Sequence, residues 1–174
     1  STNAQSKIEF EEYKLKNGMN VILHEDHSTP IVAVTVLYHV GSKNEDPKRT
    51  GFAHFFEHLL FEGTKNIKGG EWFKLVEANG GSNNAYTSDD QTYYYEVFPS
   101  NKLELSLWME SERMLHPVIR QEDRINLQEG VVKEEKNFRL DNSPYGYLLY
   151  SVRSNLYRSH PYGRLTIGLD KDLE

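Results

Sequence analysis

The chain has 174 residues, a net charge of −6 and no cysteine. That length suffices for one domain with its own core, and the lack of thiols excludes disulfides, cysteine nucleophiles and cysteine-based metal sites. The acidic balance speaks against a nucleic-acid partner, whose phosphates need a basic surface, and no apolar run reaches the roughly 18 residues of a membrane span.

Ser1 to Ser6 are small and polar, without the apolar segment of a signal peptide, so residues 1–7 read as a tail or a cloning scar. The compartment stays open between bacterial cytoplasm and periplasm. Ile8 to Leu15 alternates in part and predicts a strand. Asn17-Gly18 is a hairpin turn, and Met19 to Glu25 is the partner strand. Ile31 to Val40 is β-branched and nearly continuous in apolar character, which predicts a central strand. Helical spacing runs from Gly51 to Glu62 and stops at Gly63. A shorter helix fits Glu71 to Ala78, closed by Asn79-Gly80-Gly81. Ser82 to Ser88 and Thr92 to Phe98 are strands joined by an Asp89-Asp90 turn. Ser100 is a candidate cap for a helix ending at Pro117, with Leu103, Leu107, Met114 and Leu115 as core positions. Helix resumes from about Glu122 to Arg139 and from about Tyr145 to Tyr157. This order predicts an α+β domain: a largely antiparallel sheet with helices packed on one face.

The segment Gly51 to Phe61 (GFAHFFEHLLF) carries the most chemistry. Phe52, Phe55, Phe56, Leu59 and Leu60 follow the spacing of a core-facing stripe. His54, Glu57 and His58 fall on another face. At about 100° per residue, positions four apart differ by only about 40°, so the two imidazoles project side by side. Such a pair can give a tetrahedral zinc two of its nitrogen ligands. Glu57 can reach a water at the metal without binding the metal itself. His-x-x-Glu-His is the inverted zincin pattern.

His54-Phe55-Phe56-Glu57-His58 followed by Gly63-Thr64 resembles the pitrilysin family of zinc peptidases, to which insulin-degrading enzyme and the mitochondrial processing peptidase belong. Asn79 to Ser88 (NGGSNNAYTS) resembles the family's edge-strand segment, and Glu129 to Gly146 its third-ligand helix. The likeness thus covers nearly the whole chain and implies the N-terminal catalytic lobe of such an enzyme. It further implies that Asn84, the Ala85 main chain and Tyr86 belong to an edge strand that pairs with an extended peptide substrate.

A catalytic zinc needs a third protein ligand, and the resemblance supplies a glutamate roughly seventy to eighty residues beyond His58, which makes Glu129, Glu134 and Glu135 the candidates. With Val131 at 0° and about 100° per residue, Val132, Phe138, Leu127 and Ile125 centre an apolar stripe near 30°; Glu135 then lies near 40°, Glu134 near −60° and Glu129 near 160°. Glu135 is the inward carboxylate and Glu134 the alternative. Many relatives carry an acidic residue where this chain has Gln128, supporting a ligating histidine from outside.

The implied function is a zinc endopeptidase, with one Zn2+ per chain held by His54, His58 and Glu135. It would hydrolyse peptides or unfolded, presequence-like segments, with Glu57 as general base towards a metal-activated water. The alternative is a non-catalytic binding or structural subunit of a two-lobed peptidase complex. Residues 8–174 read as the zinc-binding lobe. Leu169 to Glu174 look like the start of a further element, so the chain is expected to be truncated and to need a second homologous lobe, in the same chain or as a partner. His24, His27, His39, His116 and His160 have no ligand partner at useful spacing.

Overall fold

In this computed structural model the described residues are 8–172. The expected tail over residues 1–7, and Leu173 and Glu174 of the expected continuation, lie outside them. The chain divides into a first unit ending at Pro30 and a second beginning at Ile31.

The first unit holds an antiparallel hairpin of β1 (Glu11–Lys14) and β2 (Asn20–Leu23), with Glu11 opposite Leu23. Gly18 N–H donates to the Leu15 carbonyl at 2.9 Å and takes a φ of 91°, the left-handed conformation that glycine adopts without cost. The expected strands were longer at both ends than the paired residues.

The second unit is built on β3 (Ile31–Tyr38), β4 (Ser82–Thr87) and β5 (Thr92–Pro99), all antiparallel in the order β3-β5-β4. The middle strand among the described residues is therefore β5, and not Ile31 to Val40 as its apolar run suggested. Ile31 and Leu37 are 55% and 52% exposed, while Val32, Val34 and Val36 on the other face are partly covered. A β-branched run fits a pleated surface covered on one side only, so composition alone overstated its burial.

Among the described residues five α-helices follow this sheet in the chain or interrupt it: α1 (Phe52–Leu59), α2 (Trp72–Ala78), α3 (Leu103–Leu115), α4 (Glu122–Lys136) and α5 (Leu148–Leu156). On β5, Thr92, Tyr94, Glu96 and Phe98 are buried and point at the helices, whereas Tyr93, Tyr95 and Val97 on the other face are half-buried. Phe98 meets Trp72, Val76, Ile67 and Met109 in one core cluster, and Phe55, Leu59 and Val132 form a second between α1 and α4. Full burial of such side chains contributes about 1.5–3 kcal/mol each. The fold is thus α+β, antiparallel, with α1, α2 and α3 against one face.

The inner face of α3 differs from expectation. Leu103, Leu107 and Leu115 are 41%, 53% and 71% exposed and Met114 is only partly covered. The buried positions are Ser106, Met109, Glu110, Glu112 and Arg113, of which all but Met109 are polar. Arg113 explains why. Its guanidinium lies over Trp72, Tyr94 and Phe61 at 4.1, 4.2 and 4.5 Å, and donates to Glu110 at 3.1 Å and to the Leu60 carbonyl at 3.3 Å. Glu96 lies 3.8 Å away and accepts from Ser106 Oγ at 2.9 Å. Aromatic faces and paired carboxylates together make a buried cation tolerable. Ser100 is not a helix cap: residues 100–102 form a 3-10 turn, and α3 starts at Leu103 without a side-chain cap.

Candidate metal centre

The site is assembled from α1, α4 and β4. The Glu45 carboxylate caps the start of α1, accepting from Gly51 N–H at 3.0 Å and Ala53 N–H at 2.8 Å, so a remote side chain satisfies donors that a helix leaves open. Gly51 has a φ of 89°, and a Cβ there would lie 2.7 Å from the Ile167 carbonyl oxygen. Only glycine allows this turn and this close approach. At the far end the Arg113 guanidinium accounts for the Leu60 carbonyl, and Tyr94 Oη donates to the Glu57 carbonyl at 3.3 Å.

Between these anchors the two apolar faces of α1 and α4 meet through Phe55, Leu59 and Val132. Phe56 is the departure from the expected stripe on α1, being 42% exposed. On α4 the buried side is also rotated from expectation. Val132 and Lys136 are buried, while Val131, Leu127 and Phe138 are 42%, 50% and 77% exposed. Glu135 lies on the flank of that buried side and is half-covered, and Glu134 is exposed. Glu129 pairs with Lys133 at 2.6 Å.

His54, His58 and Glu135 come together. The two Nε2 atoms are 3.3 Å apart, and Glu135 Oε2 lies 3.2 Å from His58 Nε2 and 3.5 Å from His54 Nε2. Tetrahedral ligands at about 2.0–2.1 Å from one ion stand about 3.3–3.4 Å apart, so this triangle has the edge lengths of three zinc donors. The donor set, two imidazoles and one carboxylate, suits the same ion. Among the described residues these three are the one group of histidine and acid side chains with ligand atoms so gathered. The second oxygen of Glu135 pairs with the Arg139 guanidinium at 2.8 Å, which leaves one oxygen facing the histidines. After α4 the helix widens into a π-helical turn over Asn137–Asp141, a local change common at functional sites.

Electrostatics acts on the two histidines in opposite directions. Burial and the neighbouring His58 lower His54 to about 4, so it is neutral near pH 7. Burial lowers His58 too, but the hydrogen bond and charge of Glu135 outweigh this and raise it. The hydrogen bond to His58 in turn lowers Glu135.

Glu57 is buried beside this triangle without belonging to it. Thr87 Oγ1 donates to its Oε2 at 2.5 Å. Burial raises its carboxyl above the usual range and the Thr87 bond only partly offsets this. The Thr87 contact was not foreseen. The strand's alternation was the available signal, since Ala85 and Thr87 share the helix-facing side of β4 whereas Asn84 and Tyr86 point the other way and are exposed. β4 is an edge strand among the described residues, and Asn84 Oδ1 accepts from the Ala85 N–H at 2.9 Å. A cavity of about 370 Å³ borders His54 and Thr87 and is lined by Arg139, Arg153 and Arg164. The other five histidines are exposed and lie outside the cluster. No described helix is long and apolar enough to cross a membrane.

Comparison with known proteins identifies the family. Residues 20–169 match the family described as Insulinase (Peptidase family M16). A protein named zinc protease PqqE from Helicobacter pylori is 39% identical over 176 residues, which takes in 100% of this chain and 39% of that protein. Human insulin-degrading enzyme is 28% identical over 98% of this chain and 17% of its own length. A crystal structure of a protease from Helicobacter pylori superposes with a TM-score of 0.90 at 39% identity, covering 95% of this chain and 40% of that one. The chain thus spans about two fifths or less of the length of these relatives. With a matched profile over most of its residues, the chain belongs to the insulinase, or pitrilysin, family of zinc peptidases.

Proposed function

We propose that the chain is the metal-binding lobe of a zinc endopeptidase acting on peptides or unfolded, presequence-like segments. The observation that carries this reading is the Glu57 carboxylate, buried next to three convergent donors but not among them. A structural zinc is closed by four protein ligands, whereas a catalytic one has three and an open position. A spare buried base has a use only in the second case.

One zinc per chain would be held by His54, His58 and Glu135, and when bound would supply a Lewis acid and a water acidic enough to lose a proton near neutral pH. Glu57 is then the proton acceptor, and its raised proton affinity lets it pass that proton to the leaving amine. Thr87 fixes which carboxylate oxygen faces the reaction. The edge of β4 around Asn84, Ala85 and Tyr86 offers main-chain groups to an extended substrate.

The relatives are more than twice as long as this chain, which supports a second lobe closing over the substrate. Orientation of the peptide over the metal is worth several kcal/mol of barrier and needs both sides. The test is hydrolysis of a quenched peptide by the chain with and without its second half, supplied in one polypeptide or as a partner. Activity should need both. Full activity of the chain alone, unchanged by the second half, would refute the two-lobed reading. No hydrolysis by the zinc-loaded two-lobed protein across a peptide panel would refute the enzymatic one.

A further inference from the structure

Behind His58 three side chains form a line that leads away from the donor triangle. His58 Nδ1 lies 3.1 Å from Gln128 Oε1. Gln128 Nε2 donates to Glu62 Oε1, and Arg124 Nη1 donates to Glu62 Oε2 at 3.2 Å. Glu62 stands in the turn after α1 with its side chain 10% exposed, while Arg124 and Gln128 are four residues apart on α4. The line therefore crosses between the two helices that carry the metal donors. Gly69 makes room for its far end, since a Cβ there would lie 2.7 Å from Arg124 Cζ.

Elementary chemistry fixes the direction of each hydrogen bond. A carboxylate paired with a guanidinium only accepts, so Gln128 must turn its NH2 to Glu62. That leaves the amide oxygen for His58. An amide oxygen also only accepts, so His58 Nδ1 must carry a hydrogen. The lone pair of His58 then sits on Nε2, the atom that faces Glu135 and His54. Without Glu62 the amide could turn over, present NH2 to Nδ1, and favour the wrong tautomer. His54 has no comparable support: its buried Nδ1 lacks a hydrogen-bond partner among the described residues. Control of ring orientation thus rests on His58.

We propose that Glu62, acting through Gln128, is a positioning residue that sets the tautomer and ring orientation of His58 for metal binding. The carboxylate that tunes the ligand is one amide removed from it, and Arg124 holds that carboxylate in place. This inference rests on the metal-binding reading above.

The experiment is zinc affinity of the chain by competition with a chromophoric chelator, together with 15N NMR of histidine-labelled, zinc-loaded protein. The unsubstituted chain should show His58 bound through Nε2, with a slowly exchanging hydrogen on Nδ1. Gln128→Met and Glu62→Gln should each weaken zinc binding about 10–100-fold, while Gln128→Glu, which keeps an acceptor, should retain it. Because Glu62 acts through Gln128, Glu62→Gln should cost little more once residue 128 is Met. Native affinity in Gln128→Met, fully additive losses, or His58 bound through Nδ1 would overturn the proposal. If the unsubstituted chain binds no zinc, the metal-binding reading itself fails and the relay has no role. The NMR measurement needs no substitution, so it decides the matter even if a variant fails to fold.

Discussion

Thr87 Oγ1 stands 2.5 Å from Glu57 Oε2, joining a strand residue to a helix residue 30 positions away. The bond uses one oxygen of the carboxylate and leaves the other for chemistry. On the proposed reading, Glu57→Gln in the two-lobed protein should therefore keep zinc and lose hydrolysis, because it removes the proton acceptor and none of the three donors. Thr87→Val should keep zinc and lower kcat by about an order of magnitude, the size of a single lost orienting bond. Metal analysis beside peptide turnover checks both, and near-normal turnover of Glu57→Gln would end the assigned mechanism.

The choice between two adjacent acids can be measured directly. Glu135→Gln should abolish tight zinc binding, since its carboxylate lies 3.2 Å from His58 Nε2. Glu134→Gln should leave binding unchanged, since Glu134 is exposed and outside the cluster. The reverse result would move the third ligand by one residue. Refilling the protein with zinc before the titration guards against loss during purification.

Glu96 gives a pH prediction away from the site. Burial, helped by the nearby Glu110 carboxylate, pushes it up to about 7 in the folded chain, against 4.5 for the free side chain. The folded state therefore binds the proton more tightly than the unfolded one. The stabilisation is complete below about pH 4.5 and is lost as pH rises through about 7. Glu96→Gln, which mimics the protonated acid, should cost most at low pH and least above pH 7. Urea unfolding at pH 5 and pH 8 reads this out, and equal costs at both would contradict it.

Leucine truncations should separate the true core from its apolar surface. Leu59 is 3% exposed between α1 and α4, so Leu59→Ala should cost about 2–5 kcal/mol and also weaken zinc binding by loosening the helices that carry the donors. Leu107 is 53% exposed, and Leu107→Ala should change stability by less than about 0.5 kcal/mol. Denaturant midpoints and chelator competition test the pair.

The two leucines also mark where the sequence was legible. Hairpin, strands and helices could be read because turn residues such as Asn17-Gly18 and Asn79-Gly80-Gly81 punctuate clear periods. His54, Glu57 and His58 share one short helix, so their convergence is a matter of local spacing. Glu135 needed a choice of helix face. Of the five apolar residues that defined that face, Val132 and Ile125 are covered, but Val131, Leu127 and Phe138 are exposed, so the angular stripe was centred too far from the true buried side. The inner face of α3 escaped for the opposite reason. Its buried members include Glu110 and Arg113, and polar residues look like surface until the three rings around them are known. Thr87 and Gln128 meet partners 30 and 70 positions away; the alternation of β4 gives the face of Thr87 but not the partner it finds there.

The aromatic enclosure of Arg113 has a practical side. Of the two tryptophans in the chain, Trp72 is fully buried with the guanidinium 4.1 Å above its ring, and Trp108 is 39% exposed. One indole therefore emits from a dry, cation-capped setting and the other from a wet one. Unfolding will shift the first to longer wavelength and leave the second nearly unchanged. The molecule thus carries its own optical gauge of the core between α2, α3 and β5, readable without a label and without touching the histidines.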